Sequence, residues 1–177
     1  ATQAIPALIS LLSKAEINIQ ILAARSLGEM GASKAKSALM KIVKGSDVAD
    51  ELLAECMLSL AKLNDTKVIP HLLSGLDHMS SKVRGYAIAA LGELGDSKGV
   101  KPLIDKLLDS SQDNRSMMIQ ALAKLGDPAA VKPLLSVLEE AKHQSESGLK
   151  GGYLGAYAIQ ALAKLGEGSV VQILLRD

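Results

Sequence analysis

Apolar residues return along this chain with two periods at once. Within short stretches they recur every three to four positions, the mark of a helix with one buried stripe. Over longer stretches the whole pattern repeats. Its sharpest copies are Ala-Leu-Gly-Glu-Leu-Gly-Asp at 90–96, Ala-Leu-Ala-Lys-Leu-Gly-Asp at 121–127 and Ala-Leu-Ala-Lys-Leu-Gly at 161–166, with weaker copies at 26–31 and 59–64. The first leucines of these copies are Leu27, Leu60, Leu91, Leu122 and Leu162, separated by 33, 31, 31 and 40 residues. A second marker, Pro6, Ser37, Pro70, Pro102 and Pro133, advances by 31, 33, 32 and 31. Two independent markers therefore agree on one period, the signature of a repeat architecture.

Each period reads as a pair of amphipathic helices, A and B. In the third unit the A helix is predicted over 68–76, with Val68, Ile69, Leu72, Leu73 and Leu76 on one side. The B helix is predicted over 81–94, with Val83, Ala87, Ala90, Leu91 and Leu94 on one stripe. Gly31, Gly95, Gly126 and Gly166 follow the last apolar residue of their B helices, where a left-handed cap favours a residue without Cβ. Asp96 and Asp127 come next and can accept the free N–H groups that open the following A helix, and Pro128 suits a first helical position. The prolines inside the A helices remove a hydrogen bond and should loosen or kink those helices near their start.

A two-helix unit cannot bury its stripe alone, so each must stack on its neighbours around a continuous core. The predicted organisation is one domain, 1–177, with units at about 4–33, 34–66, 67–97, 98–128 and 129–169 and a partial sixth at 170–177. The last full unit carries an insertion at about 140–155. Extra residues in a repeat collect on one face and are often where specificity sits, and a tolerated surface loop is the other reading.

The segment Ser-Ser-Lys-Val-Arg-Gly-Tyr-Ala-Ile-Ala-Ala-Leu-Gly-Glu-Leu-Gly-Asp at 80–96 resembles the HEAT-like repeat first named for phycobilisome lyases. The resemblance covers nearly the whole chain and is strongest over 67–138. It implies an all-α fold, a right-handed α-solenoid of about five helical hairpins plus a partial sixth, with the B helices lining the concave surface. It also implies that Arg84 and Arg115 pair with a turn aspartate of an adjacent unit, Asp65, Asp96 or Asp127. Gln20, Leu53 and Gly155 stand at the equivalent positions elsewhere, so such a ladder would be partial. A bilin lyase-like enzyme, or a subunit of one, is the catalytic function the resemblance suggests.

Composition narrows the chemistry. The 177 residues are 48% hydrophobic but only 2% aromatic, with no Trp or Phe and three Tyr, as suits closely spaced helices. Lys and Arg total 20 against 19 Asp and Glu, and no run of like charge stands out, so a cationic surface for nucleic acid is not expected. No apolar stretch reaches the roughly 18 residues of a membrane helix. One cysteine closes no internal disulfide, and no signal segment opens the chain, so a cytoplasmic, soluble protein is expected. His71, His78 and His143 are isolated and lack the His-Glu pairs of di-iron HEAT-repeat hydroxylases, so no metal and no cofactor are expected. Cys56 falls on a small core position of a B helix and reads as an inert thiol. The glycine-rich 148–155 lacks the order of a phosphate loop.

The rare aromatics carry the functional reading. Aligned on Leu91, residue 86 corresponds to Leu22, Glu55, Met117 and Tyr157, and residue 82 to Asn18, Glu51, Asp113 and Tyr153. All three tyrosines thus fall on B helices, outside the core stripe. Tyr86, Met117, Tyr153 and Tyr157 could form a contact patch, bordered by Gln120 and Gln160, because Tyr and Met combine apolar area with adaptable or polar ends. The other reading is that these rings only cover grooves between repeats. The expectation is a non-catalytic scaffold that binds another protein on its B-helix face, itself a monomer or part of a larger chain or complex.

Overall fold

A computed structural model of the chain describes residues 4–108, 114–146 and 152–166. All regular structure there is helical, and no strand occurs among the described residues. The helices are α1 (Ala4–Lys14), α2 (Ile17–Glu29), α3 (Lys36–Val43), α4 (Asp50–Lys62), α5 (Ile69–Gly75), α6 (Ser81–Leu94), α7 (Val100–Leu107), α8 (Arg115–Leu125), α9 (Val131–Glu146) and α10 (Gly152–Lys164). Odd-numbered helices are the A helices and even-numbered ones the B helices. The expected partial unit at 170–177 lies outside the described residues.

The turn chemistry places these helices. Gly31, Gly95, Gly126 and Gly166 have φ of 64°, 67°, 70° and 79°, and Asn64 takes the same left-handed role in the second repeat at 55°. After three of these turns an aspartate closes onto the N–H two residues on: Asp65 onto Lys67, Asp96 onto Lys98 and Asp127 onto Ala129. The proline effect is specific. The chain enters the A helices of units two to five through a single 3-10 turn, at Ser33–Ala35, Thr66–Val68, Ser97–Gly99 and Pro128–Ala130. Pro70, Pro102 and Pro133 then sit in the first α-turn, where a missing N–H breaks no intrahelical bond.

The chain divides into two compact units, Ala1–Leu94 and Gly95–Asp177. In the first, α2 packs on α4 and α4 on α6, so the B helices form one layer, and each A helix covers its own B helix. In the second, α10 packs on both α8 and α9. Leu27, Leu60, Leu91, Leu122 and Leu162, the residues that revealed the period, are all at most 1% exposed.

Close approach is built from small residues. Gly28 on α2 faces Ser59 on α4, whose hydroxyl donates to Ala24 O at 2.8 Å, and a Cβ at Gly28 would lie 2.7–2.9 Å from the atoms of Ser59. The 140–155 insertion departs from the loop reading. Residues 140–146 extend α9, because Leu134, Val137, Leu138 and Ala141 continue its buried stripe and no glycine or proline interrupts it. Residues 152–155 open α10, with Gly155 tight against Ala141, and 147–151 lie outside the described residues.

Candidate partner-binding surface

In the first unit the B-helix layer is tied together by polar side chains one repeat apart. Glu55 on α4 is 3% exposed. Arg25 on α2 grips its Oε1 through Nη2 and Nε, and the Tyr86 hydroxyl on α6 donates to the same oxygen at 3.0 Å. Arg25 is consequently held above its usual pKa, chiefly by that hydrogen bond. Tyr86 is also raised, by burial first and by Glu55 next. A turn away, Lys82 on α6 reaches Glu51 on α4 at 2.9 Å across an exposed surface, and Lys62 lies 3.9 Å from Glu29. Tyr86 is half-buried and its hydroxyl is committed, so in this unit it acts as a strut between neighbouring B helices.

The second unit presents a different face. Tyr153 on α10 is 82% exposed. One turn on, Tyr157 is half-buried, and Gln160 beyond it is exposed. On the adjacent α8, Met117 is half-buried and Gln120 exposed. Met117 and Gln120 thus lie on α8 and Tyr153, Tyr157 and Gln160 on α10, two helices that pack on one another, with Tyr153 the most exposed of them. Tyr86, the remaining expected member, belongs to the first unit. All three tyrosines are on B helices.

A family profile for HEAT repeats matches residues 5–78 and 69–146. The chain belongs to the HEAT repeat family. Among solved structures it is similar to a chain in the complex of CpcE and CpcF of phycocyanin lyase from Nostoc sp. PCC7120, with 23% identity and a TM-score of 0.72 over 95% of this chain and 67% of that one. It is also similar to an engineered protein (23% identity, TM-score 0.60, 98% of this chain and 90% of that one) and to a designed armadillo repeat protein (17%, 0.60, 98% and 92%). At these identities the likeness concerns the helical-repeat fold. No curated protein sequence matches the chain.

Within the HEAT hairpins the arginines take other partners than the turn aspartates. Arg115, 7% exposed at the start of α8, pairs bidentately with Glu140 on α9, Nη1 to Oε1 at 3.0 Å and Nη2 to Oε2 at 2.6 Å. That pairing exists because α9 runs on past Leu138 far enough to carry Glu140. Arg84 donates to the carbonyls of His78 and Met79 at 2.7 and 2.8 Å and so clamps the turn between α5 and α6. The aspartates cap 3-10 turns, as described above. Gln20 donates to Ala15 O at 2.9 Å, closing the turn between α1 and α2.

Cys56 is fully buried, and burial with Glu55 beside it pushes the thiol up to about 12. It is no nucleophile near neutral pH. His78 accepts from Ser80 N through Nδ1, so it serves the α5–α6 turn. No group of three His, Cys, Asp or Glu side chains stands close enough to hold a metal ion among the described residues, and no helix there is long and apolar enough to cross a membrane.

Sequence reasoning does not single out the Arg25–Glu55–Tyr86 chain. Its signal is nonetheless present, since Glu55 and Tyr86 occupy one register a single period apart, as do Glu51 and Lys82. Complementary polar groups separated by one period on B helices are neighbours in a stack.

Proposed function

We propose that this HEAT chain is a non-catalytic scaffold that holds another protein on the B-helix surface of its second unit, through Met117, Gln120, Tyr153, Tyr157 and Gln160. The observation that carries the reading is the 82% exposure of Tyr153 in a chain with only three aromatic residues. A ring left in water on a helix, one turn from Tyr157, gains most of its burial energy only when a partner covers it. Gln120 and Gln160 add hydrogen-bonding capacity without a charge to desolvate. The related complex, named as two chains of one lyase, supports partner binding as a use of this fold.

The test is retention of partners by the wild-type chain and by Tyr153→Ala in affinity purification from the source cell. Tyr153→Ala removes a side chain that packs on little, so its melting curve should overlay the wild type while partner recovery falls at least tenfold. Equal recovery would refute the assignment. Tyr86→Ala is a poorer probe, because it also removes the bond to Glu55.

A second reading, a subunit of a bilin lyase-like enzyme, is favoured by the likeness to the phycocyanin lyase chain. Changed absorbance of a tetrapyrrole on mixing with the chain would support it, and unchanged spectra across several tetrapyrroles would dismiss it.

A further inference from the structure

Four lysines of the first compact unit meet around one cavity on its A-helix side. Lys36, Lys41 and Lys44 come from α3 and its C-terminal cap, and Lys67 comes from the 3-10 turn that opens the next A helix. The cavity measures about 680 Å³, within the roughly 300–1,000 Å³ of ligand pockets, and Ser37 and Met40 complete its α3 wall. Residues 37, 41 and 44 are spaced by four and then three positions, so the helix itself aligns them on one face. The sequence shows no run of like charge because other residues separate the three α3 lysines and the fourth belongs to the following repeat.

The carboxylates that accompany such lysines in other repeats are missing here. On α7, Lys101 takes the register of Lys36 and reaches Asp105 one turn on, at 3.1 Å. At the register of Asp105, α3 carries Met40. At the register of Lys44, the three following repeats carry Asp77, Asp109 and Glu140. None of the four lysines forms an ion pair among the described residues. The one carboxylate lining the cavity, Asp65, accepts from the Lys67 backbone N–H at 3.2 Å. Four lysines against one aspartate leave a surplus of three positive charges.

The remaining lining selects among anions. A phosphate chain offers only acceptors and is repelled by Asp65, whereas a peptide can donate a main-chain N–H to that carboxylate. Met40 suits an apolar side chain set between acidic ones. Lysines carry compact ammonium groups on flexible stems, so they can follow spaced carboxylates, and no arginine fork is present to fix a phosphate. No aromatic ring lines the cavity, so nucleic-acid bases have nothing to stack on. We infer that this cavity docks an acidic peptide segment of another protein. Its carboxylates lie on the four lysines, an apolar side chain lies against Met40 and a main-chain N–H on Asp65. The site is in the first compact unit and stands apart from the α8–α10 surface.

The experiment uses the whole chain and a set of short fluorescein-labelled peptides, each with several Glu around a central Leu. Fluorescence anisotropy at about 50 mM salt should show binding with Kd of about 10–100 µM, weakened at least fivefold at about 500 mM. The same peptides with Gln in place of Glu should not bind. Lys41→Glu with Lys44→Glu should weaken binding at least tenfold. Lys101→Glu, which reverses an α7 lysine already supplied with a carboxylate, should leave it unchanged. Lys41 and Lys44 are exposed, so circular dichroism of their double variant should match the wild type. Lys44→Gln with Lys67→Gln reads the same loss without reversing any charge. Absence of peptide binding overturns the inference, as does binding indifferent to both lysine pairs. So does tighter binding of inorganic tripolyphosphate or of an oligothymidylate than of any peptide, which would make the cavity a phosphate or nucleic-acid site.

Discussion

Gly28→Ala separates two physical effects of opposite sign. Gly28 lies inside α2, and helix propensity alone predicts that alanine there would stabilise the fold by about 1 kcal/mol. The tertiary structure predicts the reverse. An added Cβ would stand 2.7 Å from Ser59 Oγ, 2.8 Å from its Cβ and 2.9 Å from its Cα, against a normal carbon separation of about 3.5–4.0 Å. The last of these three atoms is backbone, so rotating the serine cannot relieve the clash, and α2 must move off α4 by several tenths of an ångström or more. That movement would cost about 1–3 kcal/mol of packing and would strain the buried Ser59 hydroxyl bond to Ala24 O, worth about another 1 kcal/mol. Offset by propensity, the net loss is about 1–3 kcal/mol. Urea unfolding followed by circular dichroism would measure it, read as a fall in midpoint at unchanged slope. Gly28→Ala with Ser59→Gly should recover part of the loss, because two of the three close approaches vanish. A Gly28→Ala chain more stable than wild type would refute the packing argument and leave propensity in charge.

Cys56→Ala should flatten the alkaline limb of stability. The thiol ionises near 9.0 when unfolded and near 12 when folded, so the neutral native thiol contributes fully below pH 9, and that contribution drains away as pH rises towards 12. Its ceiling is about 4 kcal/mol, and urea midpoints from about pH 8 to about pH 11 in both chains would show whether the difference grows with pH. Gly126→Ala should cost about 1 kcal/mol by thermal melting through backbone strain alone, since φ is 70° and nothing lies within 4 Å of the new methyl. Leu122→Ala, at a fully buried site, should cost about 2–5 kcal/mol in the same assay. Tyr86→Phe should cost about 1 kcal/mol, less than a fully buried bond to a carboxylate because the ring is only half-buried, and the loss should disappear when Glu55 is already Ala, which leaves the hydroxyl no acceptor there.

The repeat, its hairpins and its turns were legible in the amino-acid order because their causes are local. A left-handed glycine after Leu125, an aspartate closing onto the N–H two residues later and a stripe at helical spacing depend only on nearby residues, so the boundaries expected for the third unit recur in α5 and α6 almost to the residue. The length of α9 was equally local. Its apolar spacing continued through Ala141, but the extra residues relative to the other units masked it as a loop. The partners of the polar side chains were not legible. Arg115 finds Glu140, and Arg25 and Tyr86 find Glu55, 25 to 31 residues away, and which flank of a helix meets which neighbour is set by the stacking of hairpins. For the same reason the sequence grouped Tyr86 and Tyr153 in one surface patch. Only the packed structure separates them, because α4 lies against one ring with a buried carboxylate to hold it, while the other is left in water.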